Sequence, residues 1–204
     1  MRSLNLVAHE TEIRLGAFVG VFAIMAWLET RAPRRALTVD KAARWTHNLA
    51  LTALNTALVR LVLPVGATGL ALVAAERGWG LLNQLAWPPV LRIFLGMVVL
   101  DLAIYFQHVL FHATPTLWRL HRVHHADLDF DVTTGARFHP IEILLSMLIK
   151  FAVVLVIGPP AVAVLCFEVV LNGAAMFNHA NLRLPSALDR VLRWGIVTPD
   201  MHRV

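Results

Sequence analysis

Charge and cysteine are both scarce in this chain of 204 residues. Charged residues make up 15% of it and hydrophobic residues 58%. The mean hydropathy is +0.66, above the range of ordinary soluble domains. The lone Cys166 lies in an apolar run, which excludes a disulfide within the chain and predicts a buried, inert thiol. The composition therefore argues against a soluble protein.

Two further features are missing. The basic residues behind the net charge of +5 lie between apolar segments rather than on one soluble face, so no nucleic-acid partner is expected. The N-terminal stretch carries acids and has no small-residue cleavage site after a short apolar core, so we expect no removable signal peptide.

Apolar segments long enough to cross a membrane are present instead. As one helix, the last of them would extend about 52 Å, against a hydrocarbon core of about 30 Å. Gly158-Pro159-Pro160 interrupts it, which predicts a hairpin. The six tryptophans all fall at or just outside the ends of apolar runs, as interfacial residues do. The predicted fold is an all-α integral membrane bundle forming a single domain, 1–204, with membrane helices at 13–28, 49–75, 90–111 and 143–178.

Basic residues concentrate between the first two predicted spans: Arg31, Arg34, Arg35, Lys41 and Arg44. Such a loop is typical of the cytoplasmic side of a membrane. Counting spans from it places residues 112–142 and 179–204 on the cytoplasmic face as well. We therefore expect a multi-pass membrane protein whose polar regions share that face.

Histidines are concentrated in the first of these regions. Six of the ten lie between His108 and Pro140, in the patterns His108-x-x-x-His112 and His121-x-x-His124-His125. On a helix the first pair lies about 40° apart and the second set spans about 100°. Each set can therefore direct its imidazoles, which suit zinc, copper and iron, at one point.

The number of histidines favours more than one metal ion. His179 and His202 bring the candidate ligands to seven, whereas a tetrahedral zinc site takes four. Asp101 and Tyr105 continue the stripe of His108 and His112 along the same helix. A carboxylate within a membrane span is functional by default.

These motifs resemble the fatty acid hydroxylase and sterol desaturase superfamily of membrane oxidoreductases. The similarity runs from about Asp101 to the end of the chain and includes two later motifs, Arg137-Phe138-His139-Pro140 and Asn178-His179-Ala180-Asn181. The family's last box is a further His-x-x-His-His, and this chain stops at His202-Arg203-Val204. We therefore expect the last box to be incomplete and the chain to be truncated at its C-terminus.

The resemblance implies O2-dependent hydroxylation or desaturation of an unactivated C–H bond in a lipid, such as a sterol or a fatty acyl chain. It implies two non-haem iron ions as cofactor, with zinc as a possible substitute. The expected metal ligands are His108, His112, His121, His124, His125, His179 and His202. The substrate would enter from the bilayer. No cytochrome b5-like or ferredoxin-like segment is present, so the electron donor is expected to be a separate protein.

Catalytic roles are predicted for Asp101, Tyr105 and His139. Asp101 is expected to bond an N–H of His108 or the Tyr105 hydroxyl and so to orient a ligand. The sequence leaves three roles open for His139: a metal ligand, a hydrogen-bond donor to the substrate, or a helix cap. The alternating acids Asp127, Asp129 and Asp131 are expected at a solvated edge.

Two other classes of function remain open at this point. A membrane zinc hydrolase would need a general-base carboxylate, and neither histidine box contains a glutamate. A non-catalytic haem carrier would use two axial ligands, and a metal transporter would spread its ligands through the membrane depth.

Overall fold

The computed structural model describes residues 6–203. Within that range it contains no strands, apart from an isolated bridge between Pro33 and Leu182. The all-α prediction is therefore confirmed. The helices used below are α1 Glu10–Arg31, α2 Lys41–Val62, α3 Ala67–Arg77, α4 Leu81–Gln84, α5 Pro89–Ala113, α6 Pro115–His125, α7 Pro140–Ile157, α8 Ala161–Asn178, α9 Ser186–Leu192 and α10 Pro199–His202, with a 3-10 turn at Thr134–Ala136.

Five helical segments within residues 6–203 are long and apolar enough to cross a membrane. They are Glu10–Arg31, Lys41–Gln84, Pro89–Ala113, Pro140–Ile157 and Ala161–Asn178. The predicted hairpin within 143–178 is present, because α7 ends at Ile157 and α8 begins at Ala161. Gly158 adopts a left-handed conformation, with φ 67° and ψ 47°. Glycine reaches that conformation at little cost, and the two prolines that follow stop the helix.

The second predicted span, 49–75, is not one helix. Helix α2 begins earlier, at Lys41, where the Asp40 carboxylate accepts a hydrogen bond from the Ala43 amide at 2.8 Å. It ends at Val62, and α3 begins at Ala67. Pro64 causes the break, because proline lacks a backbone N–H and disfavours helical geometry in the residue before it.

The hairpin tip is closed by the loop that follows α3. A Cβ added to Gly80 would lie 2.3 Å from the Gly158 amide nitrogen, and one added to Gly96 would lie 2.8 Å from the Pro159 Cβ. The backbones therefore approach as closely as small residues allow, which is how helices pack in membranes. This contact places the α3–α4 loop at one end of α7 and Pro140 at the other, about 27 Å away along the helix axis.

Helix α8 lies at the centre of the bundle and packs against α1, α3 and α5. Its buried charge is neutralised: Glu168 bonds the Lys150 ammonium of α7 and, at 2.8 Å, the Arg14 guanidinium of α1. Such pairing within spans avoids the cost of an isolated charge. At the C-terminal end of α8, a Cβ on Gly135 would lie 2.5 Å from the Ala175 carbonyl oxygen, so the 3-10 turn fits directly against this helix.

Candidate metal centre

The first two histidine boxes face each other because the chain reverses between α5 and α6. Thr114 ends α5 and precedes α6, and Pro115 occupies the first position of α6, where no backbone donor is needed. On α5, the Nε2 atoms of His108 and His112 are 3.1 Å apart. On α6, the Nε2 atoms of His121 and His125 are 3.2 Å apart.

The imidazoles form two groups, each with its ligand nitrogens within 4.8 Å of one another. We call them the first group, His108, His112 and His121, and the second group, His124, His179 and His202. The His125 ring lies between them, with its centroid 4.9 Å from that of His112 and 5.5 Å from that of His202. All seven predicted ligands therefore come together, from α5, α6, α10 and the C-terminal end of α8.

Hydrogen bonds at Nδ1 orient three of the rings. The Nδ1 atom of His121 is 2.6 Å from Oε1 of Glu142, that of His124 is 3.0 Å from the Arg137 carbonyl oxygen, and that of His179 is 2.6 Å from the Ala175 carbonyl oxygen. Such contacts select the tautomer and leave Nε2 available as a ligand. The Nε2 atoms of His179 and His202 are buried and have no hydrogen-bond partner within residues 6–203.

The surroundings of His124, His125, His179 and His202 favour their neutral forms. Burial, followed by the neighbouring His202, lowers the pKa of His179 to about 3. Burial, followed by other histidines of the cluster, lowers the pKa values of His125 and His202 to about 4. The pKa of His124 is lowered well below its ordinary value, by burial and then by His179. Neutral rings with unused buried nitrogens fit a metal site of nitrogen ligands.

Glu142 was missed by the sequence predictions. It is 3% exposed and lies in the first turn of α7. An acid at the start of a mostly apolar helix, two residues after a proline, was the available signal, because such a charge needs a partner. Its partner is His121, which is 21 positions away in the sequence and 1% exposed.

The prediction of a solvated edge at Asp127, Asp129 and Asp131 is wrong. Their relative exposures are 8%, 2% and 0%. The Arg44 guanidinium donates to Asp127 at 2.9 Å and to Asp131 at 2.7 Å, while Asp129 accepts from the Thr38 and Val39 amides. Burial raises the pKa of Asp127, but the hydrogen bonds from Arg44, Thr134 and Asn48 and the charge of Arg44 together lower it below its ordinary value.

This buried network reaches the second group through Arg137. Its guanidinium donates to the Asn48 side chain at 3.2 Å and to the Val123 carbonyl at 2.9 Å, while its own carbonyl holds His124. Asn48 also donates to Asp127 at 3.1 Å. Helix α2 therefore supports the loop that orients His124.

The three predicted catalytic residues lie outside both groups. His139 caps α7, because its Nδ1 accepts a hydrogen bond from the Ile141 amide at 3.1 Å. Asp101 is exposed and forms no hydrogen bond to His108 or Tyr105 within residues 6–203, so the expected pairing is wrong. Tyr105 is 58% exposed on the same face of α5. Catalytic roles for these residues stay predictions.

Comparison with known proteins places the chain in a family. Residues 93–204 match the model of the family described as fatty acid hydroxylase, a region that contains all seven predicted metal ligands. Over 118 residues the chain is 28% identical to ornithine lipid hydroxylase OlsE of Rhizobium tropici, covering 57% of this chain and 34% of that protein. The chain thus spans about a third of this curated relative's length. No solved structure matches. With five apolar helices and this family match, the chain is an integral membrane protein that belongs to the fatty acid hydroxylase family.

Proposed function

We propose that the protein is an oxidoreductase that hydroxylates an unactivated C–H bond of a lipid with O2. The observation that carries this proposal is the pair of all-imidazole groups, joined by His125, at the ends of membrane-spanning helices. In the balanced reaction, a C–H bond and O2 take up two electrons and two protons and give an alcohol and water. The hydroxylase named among the relatives supports hydroxylation rather than desaturation, and a lipid as the substrate.

We propose two iron ions as the cofactor. His108, His112 and His121 would hold one ion, and His124, His179 and His202 the other, with His125 available to either. When bound, iron supplies the one-electron and O2 chemistry that no side chain can provide. Zinc also binds imidazole well and would occupy the same nitrogens as an inactive substitute.

The residues of the chain hold the ligands and exclude water. Glu142 and the carbonyl groups of Arg137 and Ala175 fix three rings, so that the ligand nitrogens need little rearrangement when metal binds. His121, His124 and His179 are 1%, 1% and 3% exposed, which keeps bulk water from this side of the centre. Electrons would come from a separate protein, cytochrome b5-like or ferredoxin-like, on the face that we assign to the cytoplasm.

The alternative classes receive less support. A zinc hydrolase would need a free carboxylate beside the metal, and neither histidine group within residues 6–203 includes one, while Glu142 is engaged by His121. A haem carrier would leave most of the converging imidazoles without a role. A metal transporter would have ligands at several depths in the membrane, whereas all seven histidine ligands lie at one end of the bundle.

The test is to supply the iron-loaded protein with 18O2, a reducing system and total membrane lipid. We expect a lipid product heavier by one 18O atom, which requires iron and is lost in His179→Ala. His47→Ala is the matched control, since His47 is exposed and lies outside both groups. One bound zinc with no iron-dependent product, or a hydrolysed lipid, would contradict the proposal.

A further inference from the structure

A shallow pocket of about 400 Å³, largely open to solvent, lies on the surface beside the second group. It is lined by Arg34, Arg35, Asp200 and Arg203. Two of these residues flank His202 in the sequence, so the cavity adjoins the metal centre without sharing its ligands. We call it the arginine cavity.

The backbone around the arginine cavity is fixed by hydrogen bonds. The Arg34 amide donates to the Asn181 carbonyl at 3.1 Å, and the Asn181 side chain donates to the Arg35 carbonyl at 2.8 Å. The Arg203 guanidinium donates to the Ala180 carbonyl at 2.8 Å. Because Ala180 and Asn181 directly follow His179, these hydrogen bonds fix the backbone of Arg34 and Arg35 and the side chain of Arg203 next to the second group.

The charges of the arginine cavity do not balance. Asp200 lies 3.0 Å from the Arg34 guanidinium and 3.8 Å from that of Arg203, and it is the one acid among three bases. Within residues 6–203 the Arg35 side chain has no hydrogen bond or ion pair, and Nε of Arg203 is buried without a partner. Two surplus guanidinium charges in a concave site favour an oxyanion, either carboxylate or phosphate.

The arginine cavity also lies at the depth of lipid headgroups. Trp27 is 56% exposed near the end of α1, and the Arg31 guanidinium lies 5.5 Å from its ring centroid. Exposed tryptophans at the ends of spans occupy the membrane interface. Arg34 and Arg35 follow α1 within four residues, which places them at the depth where lipid headgroups present their oxyanions.

We propose that Arg34, Arg35 and Arg203 bind the anionic headgroup, carboxylate or phosphate, of the lipid substrate. This inference rests on the proposed function only in taking the bound lipid to be the substrate. It places the headgroup beside the second group, so that the carbon to be hydroxylated lies close to the headgroup rather than at the far end of an acyl chain.

The test is lipid binding by the purified full chain in detergent. The probes are short-chain phosphatidylglycerol, which carries net negative charge, and phosphatidylcholine, which does not, with inorganic phosphate as competitor. We expect tighter binding of phosphatidylglycerol. Arg35→Gln should weaken that binding about 10-fold, the usual cost of a charge-assisted hydrogen bond, and leave phosphatidylcholine binding unchanged. Asp200→Asn should strengthen it, because the competing anion is removed.

Two controls separate this inference from the proposed function. Arg183→Gln removes an exposed arginine outside the arginine cavity and should bind as the wild type does. His179→Ala should keep the preference for phosphatidylglycerol while losing the product, so the headgroup site stands even if the hydroxylase assay fails.

Three results would overturn the inference. In the first, Arg34→Gln and Arg35→Gln both retain the wild-type preference. In the second, inorganic phosphate displaces the lipid at concentrations equal to those of the lipid, which identifies a free-anion site. In the third, the variants keep lipid binding and lose only reduction by an acidic electron-donor protein, which identifies a protein-docking surface.

Discussion

Oε1 of Glu142 lies 2.6 Å from Nδ1 of His121, and both side chains are buried. A carboxylate in this position fixes the ring and increases the basicity of the opposite nitrogen. We predict that Glu142→Gln lowers metal affinity by about 10–100-fold. The measurement is a metal titration of chelator-treated protein. Asp101→Asn is the control: Asp101 lies on α5 without a bond to any histidine within residues 6–203, so its metal affinity should match the wild type. Equal affinities for all three proteins would contradict the role of Glu142.

Metal stoichiometry tests the division into two groups. We expect two iron ions per chain after anaerobic loading and one after His179→Ala, because the second group loses a ligand while the first group is intact. His47→Ala should retain both ions. Elemental analysis gives the ratio directly. A single ion in the wild type, unchanged by His179→Ala, would show that the two groups do not act as separate sites.

Arg44 should be critical for stability. It is 6% exposed and pairs with Asp127 and Asp131, so Arg44→Met leaves two buried carboxylates without their cation. Breaking a buried pair in this way costs about 3–5 kcal/mol. Thermal unfolding in detergent should show a large fall in Tm. Arg31→Met is the matched control, since Arg31 is exposed and its guanidinium lies over the Trp27 ring, a contact of about 0.5–1 kcal/mol. Similar Tm values for the two variants would contradict the prediction.

The metal-free protein should lose stability in mild acid. The pKa values of His179 and His202 are lowered to about 3 and about 4, against 6.5 for an ordinary histidine. At pH values between the folded and the unfolded pKa of these histidines, the unfolded chain binds more protons than the folded chain. The stability of the folded protein is therefore fully present above about pH 6.5 and declines as the pH falls towards 4. We expect the Tm to drop by at least about 5 °C between pH 7 and pH 5. His179→Ala should flatten this dependence, and an equally steep profile in that variant would contradict it.

The orientation of the bundle can be tested by labelling. The Gly158 turn and the histidines lie at opposite ends of α7, and the basic loop after α1 predicts that the histidine end is cytoplasmic. In a variant lacking Cys166, a cysteine replacing exposed Gln84 should react with an impermeant reagent outside intact cells, and one replacing exposed Arg119 should not. External labelling at Arg119 would reverse the topology.

Helix content, the hairpin break and the ligand residue types are properties of short stretches of sequence. A long apolar run predicts a membrane span, because a helix satisfies its own backbone hydrogen bonds in lipid and its side chains need no water. Gly158-Pro159-Pro160 ends a helix whatever surrounds it. The histidine boxes were predictable for the same reason, because residues spaced three or four apart share a helix face. These features are therefore predictable from the sequence alone.

The grouping of the seven imidazoles was decided by tertiary structure. His179 follows α8 and His202 ends α10, yet their ring centroids lie 4.2 Å apart. Spacing along the chain carries no information about that distance, because it depends on how α8 and α10 pack at one end of the bundle. The division into a first and a second group could not have been read from the boxes.

The same physical reason explains the errors. Alternating aspartates look alike in sequence whether water or a guanidinium surrounds them, and Arg44 lies 83 positions before Asp127. Asp101 lies on the same face of α5 as His108. The predicted hydrogen bond between them also requires a suitable distance along the helix axis, which the face alone does not determine. Residue identity and local period determined the spans and the kind of ligand. Long-range packing alone decided which charges are buried, which acid orients a histidine, and where the arginine cavity lies.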